Sequence, residues 1–287
     1  MFAPVDTRVP SEVERQVHSI YRRLFPKGER AFVPRVFDWA TACFTGRHPG
    51  YLPIDARYHD FEHTLQGTLC LARLLHGRHV AGAPPVMTQP MFERALLSIL
   101  FHDSGYLKQR GDDEGTGAKY TPTHVARGAA FAREFLGKQG YDEAALVSIT
   151  NMIHCTGVNA ELETIPFQSG LERVLGFAVA TADLLGQMAA RDYVDKLPVL
   201  HLELVEASRH GGAQGARFTN YNCAEDLMRG TAEFWTSYVL PKINDDFQKL
   251  YLFLNDPYPD GPNQYLQRIE ENLERLRRKL GGEKRKT

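Results

Sequence analysis

The sequence predicts an all-α protein of about ten helices, with the last of them packed on the bundle formed by the rest. Three observations predict it. Apolar residues recur at i, i+3, i+4 and i+7 through most of the chain, the period that lines one face of a helix. No segment of useful length alternates apolar and polar residues, and there is no Asn-Gly hairpin signal. The connectors between periodic segments are long, and most are rich in Gly or Pro.

In chain order, "SEVERQVHSIYRRLF" opens with Ser11 three residues before Glu14, the form of a capping box. "VFDWATACF", "TLQGTLCLARLL" and "MFERALLSILF" follow, then "HVARGAAFAREFL", "EAALVSITNMIH" and "LERVLGFAVATADLLGQM". The last third holds "YVDKLPVLHLELVEA", "AEDLMRGTAEFWTSYVL", "INDDFQKLYLFL" and "NQYLQRIEENLERLRRKL". Connectors 76–90, 108–123, 155–170 and 208–220 are long for a compact domain, and such loops tend to be functional. No composition shift marks a boundary. One domain is expected, with helices in 1–54 packing on a core in 55–190 and helices in 191–287 completing it. The apolar stripe of the last segment (Leu266, Ile269, Leu273, Leu276, Leu280) suits packing within the chain or pairing into a homodimer.

Composition excludes several classes. The 287 residues are 43% hydrophobic with a formal net charge of −1, without the basic excess of a nucleic-acid or membrane-surface binder. The basic C-terminal "RLRRKLGGEKRKT" reads as a solvated helix end. Cys43, Cys70, Cys155 and Cys223 are far apart, with no C-x-x-C pair, as expected of thiols in a reducing compartment. The N-terminal "MFAPVDTRVPSEVERQ" lacks the apolar stretch of a secretory signal, and runs such as "LLSILF" are too short to span a bilayer. A soluble, cytoplasmic protein is expected.

Candidate functional residues start with "RYHDFEHTLQGTLCLARLL", which gathers His59, Asp60, Glu62 and His63 at one end of an otherwise apolar helix. On a helix, His59 and His63 would share a face. "LLSILFHDSGYL" delivers His102 and Asp103 at the end of a helix that reads as fully buried. Burying that pair without a partner is costly, and a divalent cation is one partner that suits imidazole and carboxylate together. Asp183 sits inside an apolar, Ala-rich helix, and His124 and His154 lie at helix ends beside Gly-containing loops. Each of these alone also suits a hydrogen-bonded core or surface residue. In the ordered series they suit one or two ions of Fe, Mn, Ni, Zn or Mg, which the residues do not distinguish. Lys108 and Arg110 suit a phosphate or carboxylate, or exposed loop charges. Gln187, four residues after Asp183, shares its face and could bond a substrate, and Phe218 or Tyr221 beside the Gly-rich loop could stack on a base.

"YHDFEH", "FHDSGY", "THVARGAAFAREFL", "IHCTG" and "ATADLLGQM" together resemble the HD-domain metal-dependent phosphohydrolase superfamily, over roughly residues 55–190. The Y-H-x-x-x-H piece is similar to class I cyclic-nucleotide phosphodiesterases. The resemblance implies an HD-domain helical bundle with additional C-terminal helices packed on it. It implies that His63, His102, Asp103 and Asp183 hold a first ion and that Asp103 bridges to a second. His124 and His154 match the extra histidines of binuclear members such as the HD-GYP phosphodiesterases. His59 matches the histidine that protonates the leaving oxygen. Asp60 stands where the cyclic-nucleotide enzymes have Asn, and the G-Y-P signature is absent. The implied activity is hydrolysis of a small nucleotide or cyclic-nucleotide phosphoester by a hydroxide bridging two ions. A di-iron oxygenase of the inositol-oxygenase type uses the same scaffold and ligand types, and a non-catalytic nucleotide-binding sensor is the third alternative.

Overall fold

A computed structural model describes residues 2, 4–210 and 221–283. The described residues form ten α-helices joined by short 3-10 and π-helical turns, with no strand. In order they are α1 (Pro10–Leu24), α2 (Phe32–Phe44), α3 (Phe61–Val80), α4 (Gln89–Phe101), α5 (His124–Lys138), α6 (Glu143–His154), α7 (Gly170–Met188), α8 (Tyr193–His210), α9 (Ala224–Phe234) and α10 (Gln264–Glu283). No described helix is long and apolar enough to cross a membrane.

The N-terminal capping box does not form. Pro10 opens α1 at its first position, where the missing N–H is no loss, and Val9 takes the cap position. The acidic partner at this end is Glu12, which accepts from the Asp6 backbone N–H at 3.1 Å. At α3 the cap is made by a side chain: Asp60 Oδ1 accepts from the His63 N–H at 2.9 Å.

α3 is the central helix, buried continuously from His63 to Leu75 and packed against α1, α4 and α7. α3 and α7 meet backbone to backbone, since a Cβ on Gly186 would lie 2.8 Å from the Gly67 nitrogen. His63 lies about one turn before Gly67, and Asp183 about one turn before Gly186. One apolar core runs through the bundle, from Val13 and Phe37 through Leu97 and Leu185 to Ile269 and Leu276. The stripe of α10 is therefore taken up inside the chain, where α10 packs on α7, α8 and α9. Connector 211–220, with Phe218, lies outside the described residues.

Candidate metal centre

α3 presents His63 from its first turn, and α7 presents Asp183. Between them, α4 tightens after Phe101 into a 3-10 turn, His102–Tyr106, that carries His102 and Asp103. His63 Nε2 lies 3.1 Å from Asp103 Oδ2 and 3.1 Å from Asp183 Oδ1. His102 Nε2 lies 3.3 Å and 3.4 Å from the same two oxygens. Ligand atoms of His63, His102 and Asp103 all fall within 4.8 Å of one another, and all three residues are buried.

Imidazole and carboxylate thus alternate around a common centre, yet they do not hydrogen-bond across it. His102 Nε2, Asp103 Oδ2 and Asp183 Oδ1 are buried and make no hydrogen bond. The tautomer explains part of this. His102 Nδ1 lies 2.8 Å from the Ile99 carbonyl oxygen, which can only accept, so Nδ1 carries the proton. A neutral His102 then turns a lone pair towards two buried carboxylates. Such an arrangement repels unless a proton or cation sits in it. Ligands at right angles around an ion with bonds of ~2.1 Å stand ~3 Å apart, close to the spacing of these four atoms. Two imidazoles and two carboxylates fit a divalent transition metal, and the Ile99 carbonyl orients His102 as the outer partners of metal-bound histidines do.

The electrostatics agree. Burial opposes an imidazolium at His63, but Asp103 and Asp183 override it and raise the pKa to about 10. Burial likewise opposes charge on His102, and the same two carboxylates raise it. Burial pushes Asp103 and Asp183 up, but His102 and His63 hold both well below the usual carboxylate range. A cation and protons therefore compete for one centre.

The other oxygen of Asp103 faces a second histidine: Oδ1 lies 3.9 Å from His124 Nε2. His124 Nδ1 is 2.6 Å from the Thr121 carbonyl oxygen, so by the same logic it carries the proton and leaves Nε2 free. The first turn of α5 docks directly on the His102–Tyr106 turn, where a Cβ on Gly105 would collide with the His124 carbonyl oxygen. Only glycine allows that approach. His154, at the end of α6, lines the cavity over the cluster but is more exposed and has no carboxylate within ion-pair distance among the described residues. Of the six expected ligands, His63, His102 and Asp103 form one close group, Asp183 lies within 3.4 Å of both histidines, His124 approaches only Asp103, and His154 lines the cavity without a carboxylate partner among the described residues.

His59 is not on α3. It lies ahead of the Asp60 cap, so it does not share a helix face with His63, although the two rings are 5.5 Å apart. Its position is fixed from elsewhere. Nδ1 lies 2.7 Å from Glu203 Oε2 on α8, and Glu203 Oε1 accepts from the Tyr58 N–H at 2.7 Å. The rings of His59, Tyr106 and His124 form one cluster: His59 and His124 lie 4.6 and 4.7 Å from Tyr106 and 6.2 Å from each other. Sequence reasoning missed Glu203, because "LHLELVEA" reads as an ordinary amphipathic helix. Its one signal is an acid flanked by Leu202 and Leu204, and it is 5% exposed.

Lys108 is a correction. Its ammonium donates to the Gly115 carbonyl at 2.6 Å and pairs with Asp55 at 3.3 Å, buried and away from the cavity lining, so it holds loop 108–123 and not a substrate. Arg110 likewise bonds the Pro49 and Gly46 carbonyls. Gln187 does line the cavity, where its Oε1 accepts from the Tyr58 hydroxyl at 2.9 Å. Asp60 and Glu62 share Lys196 of α8, at 3.1 and 3.3 Å. The cavity itself is about 790 Å³, with His59, His63, Asp103, His124 and Asp183 in its lining.

Fold and site together define an all-helical protein with a buried His/Asp cluster at the base of a cavity. Residues 109–256, just over half of the chain, match the model of the Npun_R2479-like family, and the chain belongs to that family. The matched span carries His124, His154, Asp183 and Glu203. No curated protein matches the chain.

Proposed function

We propose that the protein is a metal-dependent phosphohydrolase of the HD-domain type, acting as a phosphodiesterase on a small phosphorylated or nucleotide substrate. The observation that carries this reading is the alternating ring of His63, Asp103, His102 and Asp183, in which His102 Nε2, Asp103 Oδ2 and Asp183 Oδ1 are buried without a hydrogen bond. These residues would hold a divalent ion, which would supply Lewis-acid activation of a phosphoryl oxygen and of a nucleophilic water. Asp103 turns one oxygen towards His63 and His102 and the other towards His124, so Asp103 and His124 are the residues that would hold a second ion.

The rest falls to the chain. Glu203 accepts the His59 Nδ1–H and so fixes the orientation of the ring. As the P–O bond to the leaving group breaks, the alkoxide takes its proton from the other ring nitrogen of His59. General-acid transfer of this kind contributes typically ~10²–10⁴-fold. Tyr106, packed against both His59 and His124, buttresses the acid and the proposed second-ion ligand side by side. Burial of the cluster excludes bulk water, which strengthens each of these interactions. Four free thiols, three of them buried, support a reducing, cytoplasmic setting.

The test is hydrolysis of bis(p-nitrophenyl) phosphate by protein purified without chelator, with metals counted by elemental analysis. Release of p-nitrophenolate with Mn or Ni, lost on chelation and in Asp103→Ala, is expected. Tightly bound iron with O₂ uptake and no release would favour an oxygenase instead. Ligand binding with neither activity would leave a sensor.

A further inference from the structure

The cavity over the cluster has two unlike walls. The cluster forms one. α8 and α9 form the other, with Leu197, Leu200 and Leu204 following one face of α8 and Leu227 and Phe234 one face of α9. Val125, Val158, Ile165 and Leu184 extend the same apolar surface. Among the described residues that line the cavity there is no Lys or Arg, and outside the cluster the only carboxylate is Glu161. Anionic substrates are ordinarily gripped by Arg or Lys, and a phosphate without such a partner keeps its desolvation cost. The ions can neutralise one phosphoryl group here. A second or third, as in a nucleoside diphosphate or triphosphate, would meet apolar and uncharged polar side chains and no Lys or Arg among the described residues. The volume of about 790 Å³ far exceeds a phosphate and lies within the ~300–1,000 Å³ usual for sites that enclose an organic ligand.

We infer that the substrate is an amphiphile: one singly charged phosphoester at the cluster, and an uncharged aliphatic or aromatic body lying against α8 and α9. The inference rests on the phosphohydrolase reading for its head group, and on the lining alone for its body.

The test is calorimetric binding of n-alkyl phosphonates, methyl to octyl, to the full-length protein loaded with Mn. Phosphonates resist hydrolysis, so turnover does not enter. Affinity rises roughly fourfold per added methylene over the first several carbons, the burial expected for each CH₂. Leu200→Asn, and Leu204→Asn as a second variant at another half-buried position, flatten that dependence, and Thr231→Val, which removes a hydroxyl from the same wall, preserves or steepens it. Equal affinity for methyl and octyl phosphonate would overturn the inference, as would tighter binding of a nucleoside diphosphate. An uncharged fluorophore, N-phenyl-1-naphthylamine, separates the two readings. If it binds and Leu200→Asn weakens it while no phosphonate binds, the apolar wall stands and the phosphohydrolase reading falls. If neither probe binds, the wall is not a ligand surface.

Discussion

The two walls of the cavity are built in opposite ways. At the cluster, His63, His102 and Asp103 are at most 3% exposed, and their positions follow from backbone contacts: α3 against α7 at Gly67 and Gly186, and α5 against the His102–Tyr106 turn at Gly105. At the α8–α9 wall the surface consists of side chains, and Leu200 and Leu204 are only half-buried. Close backbone packing fixes polar groups in one geometry, which a set of ligands requires. A leucine wall tolerates exchange of residues of similar volume. Chemistry therefore belongs to the rigid wall and selectivity to the tolerant one, and each should change without the other.

The largest effect tests that separation at its root. Asp103→Ala removes the one carboxylate shared by His63, His102 and His124. Metal content by elemental analysis is expected to fall to background and p-nitrophenolate release to vanish. Leu200→Asn is expected to retain the full metal content. Equal metal content in Asp103→Ala and the wild type would mean that the buried ring is an ordinary polar cluster.

Removing the ion from the intact protein comes next. An ion present at about a thousand times its Kd stabilises the folded state by ~4 kcal/mol, so a chelator lowers Tm by several degrees at neutral pH. The pH dependence has a definite sign. His63 is raised to about 10, so in the ion-free protein its contribution is fully present below its ordinary value near 6.5 and is lost as pH rises towards 10. Asp103 and Asp183 are depressed, so their contribution is present above the ordinary carboxylate range and is lost only in strong acid. With chelator, Tm is therefore expected to fall between pH 7 and pH 10. With the ion in place of the protons, that fall is suppressed. Scanning fluorimetry with and without chelator at the two pH values decides it, and parallel curves would contradict a shared centre.

Through Glu203 the apolar wall's helix reaches the chemistry. Glu203→Gln keeps an oxygen for the Tyr58 N–H but removes the charge beside His59. Loss of a partner that orients a catalytic or metal-bound histidine typically costs ~10–100-fold. The loss is expected in kcat, with KM and metal content unchanged. A change confined to KM would return Glu203 to the binding side of the comparison.

The helices and the cluster were legible in the sequence because their causes are local. Helical periodicity marks α3, α4 and α7, and a histidine or aspartate in an apolar run such as "LLSILFHD" stands out as a buried charge that needs a partner. Where a partner comes from a distant helix, local pattern is silent. Nothing near Glu203 in sequence says that it will meet His59, 144 positions away. Nor does spacing show that Asp60 ends the helix register before His59, or that the stripe 197, 200, 204 faces a cavity and not the core. Lys108 was misread for a related reason. A cation beside a Gly-rich loop looks available for phosphate until the loop's own carbonyls are counted as acceptors.

Lys108 also gives the smallest effect and the finest test. Its ammonium satisfies the Gly115 carbonyl and pairs with Asp55, tying down the loop that leads to Thr121 and His124. Lys108→Met preserves the buried stem and removes the charge. A charged-group hydrogen bond of this kind contributes ~1.5–3 kcal/mol, so Tm should fall while the KM for bis(p-nitrophenyl) phosphate stays within error. A modest fall in kcat with the same KM would fit a loosened His124, because Thr121 fixes that ring through its carbonyl. A tenfold rise in KM would mean that Lys108 leaves Gly115 to reach the substrate, and would add to the cavity a cation that its described lining lacks.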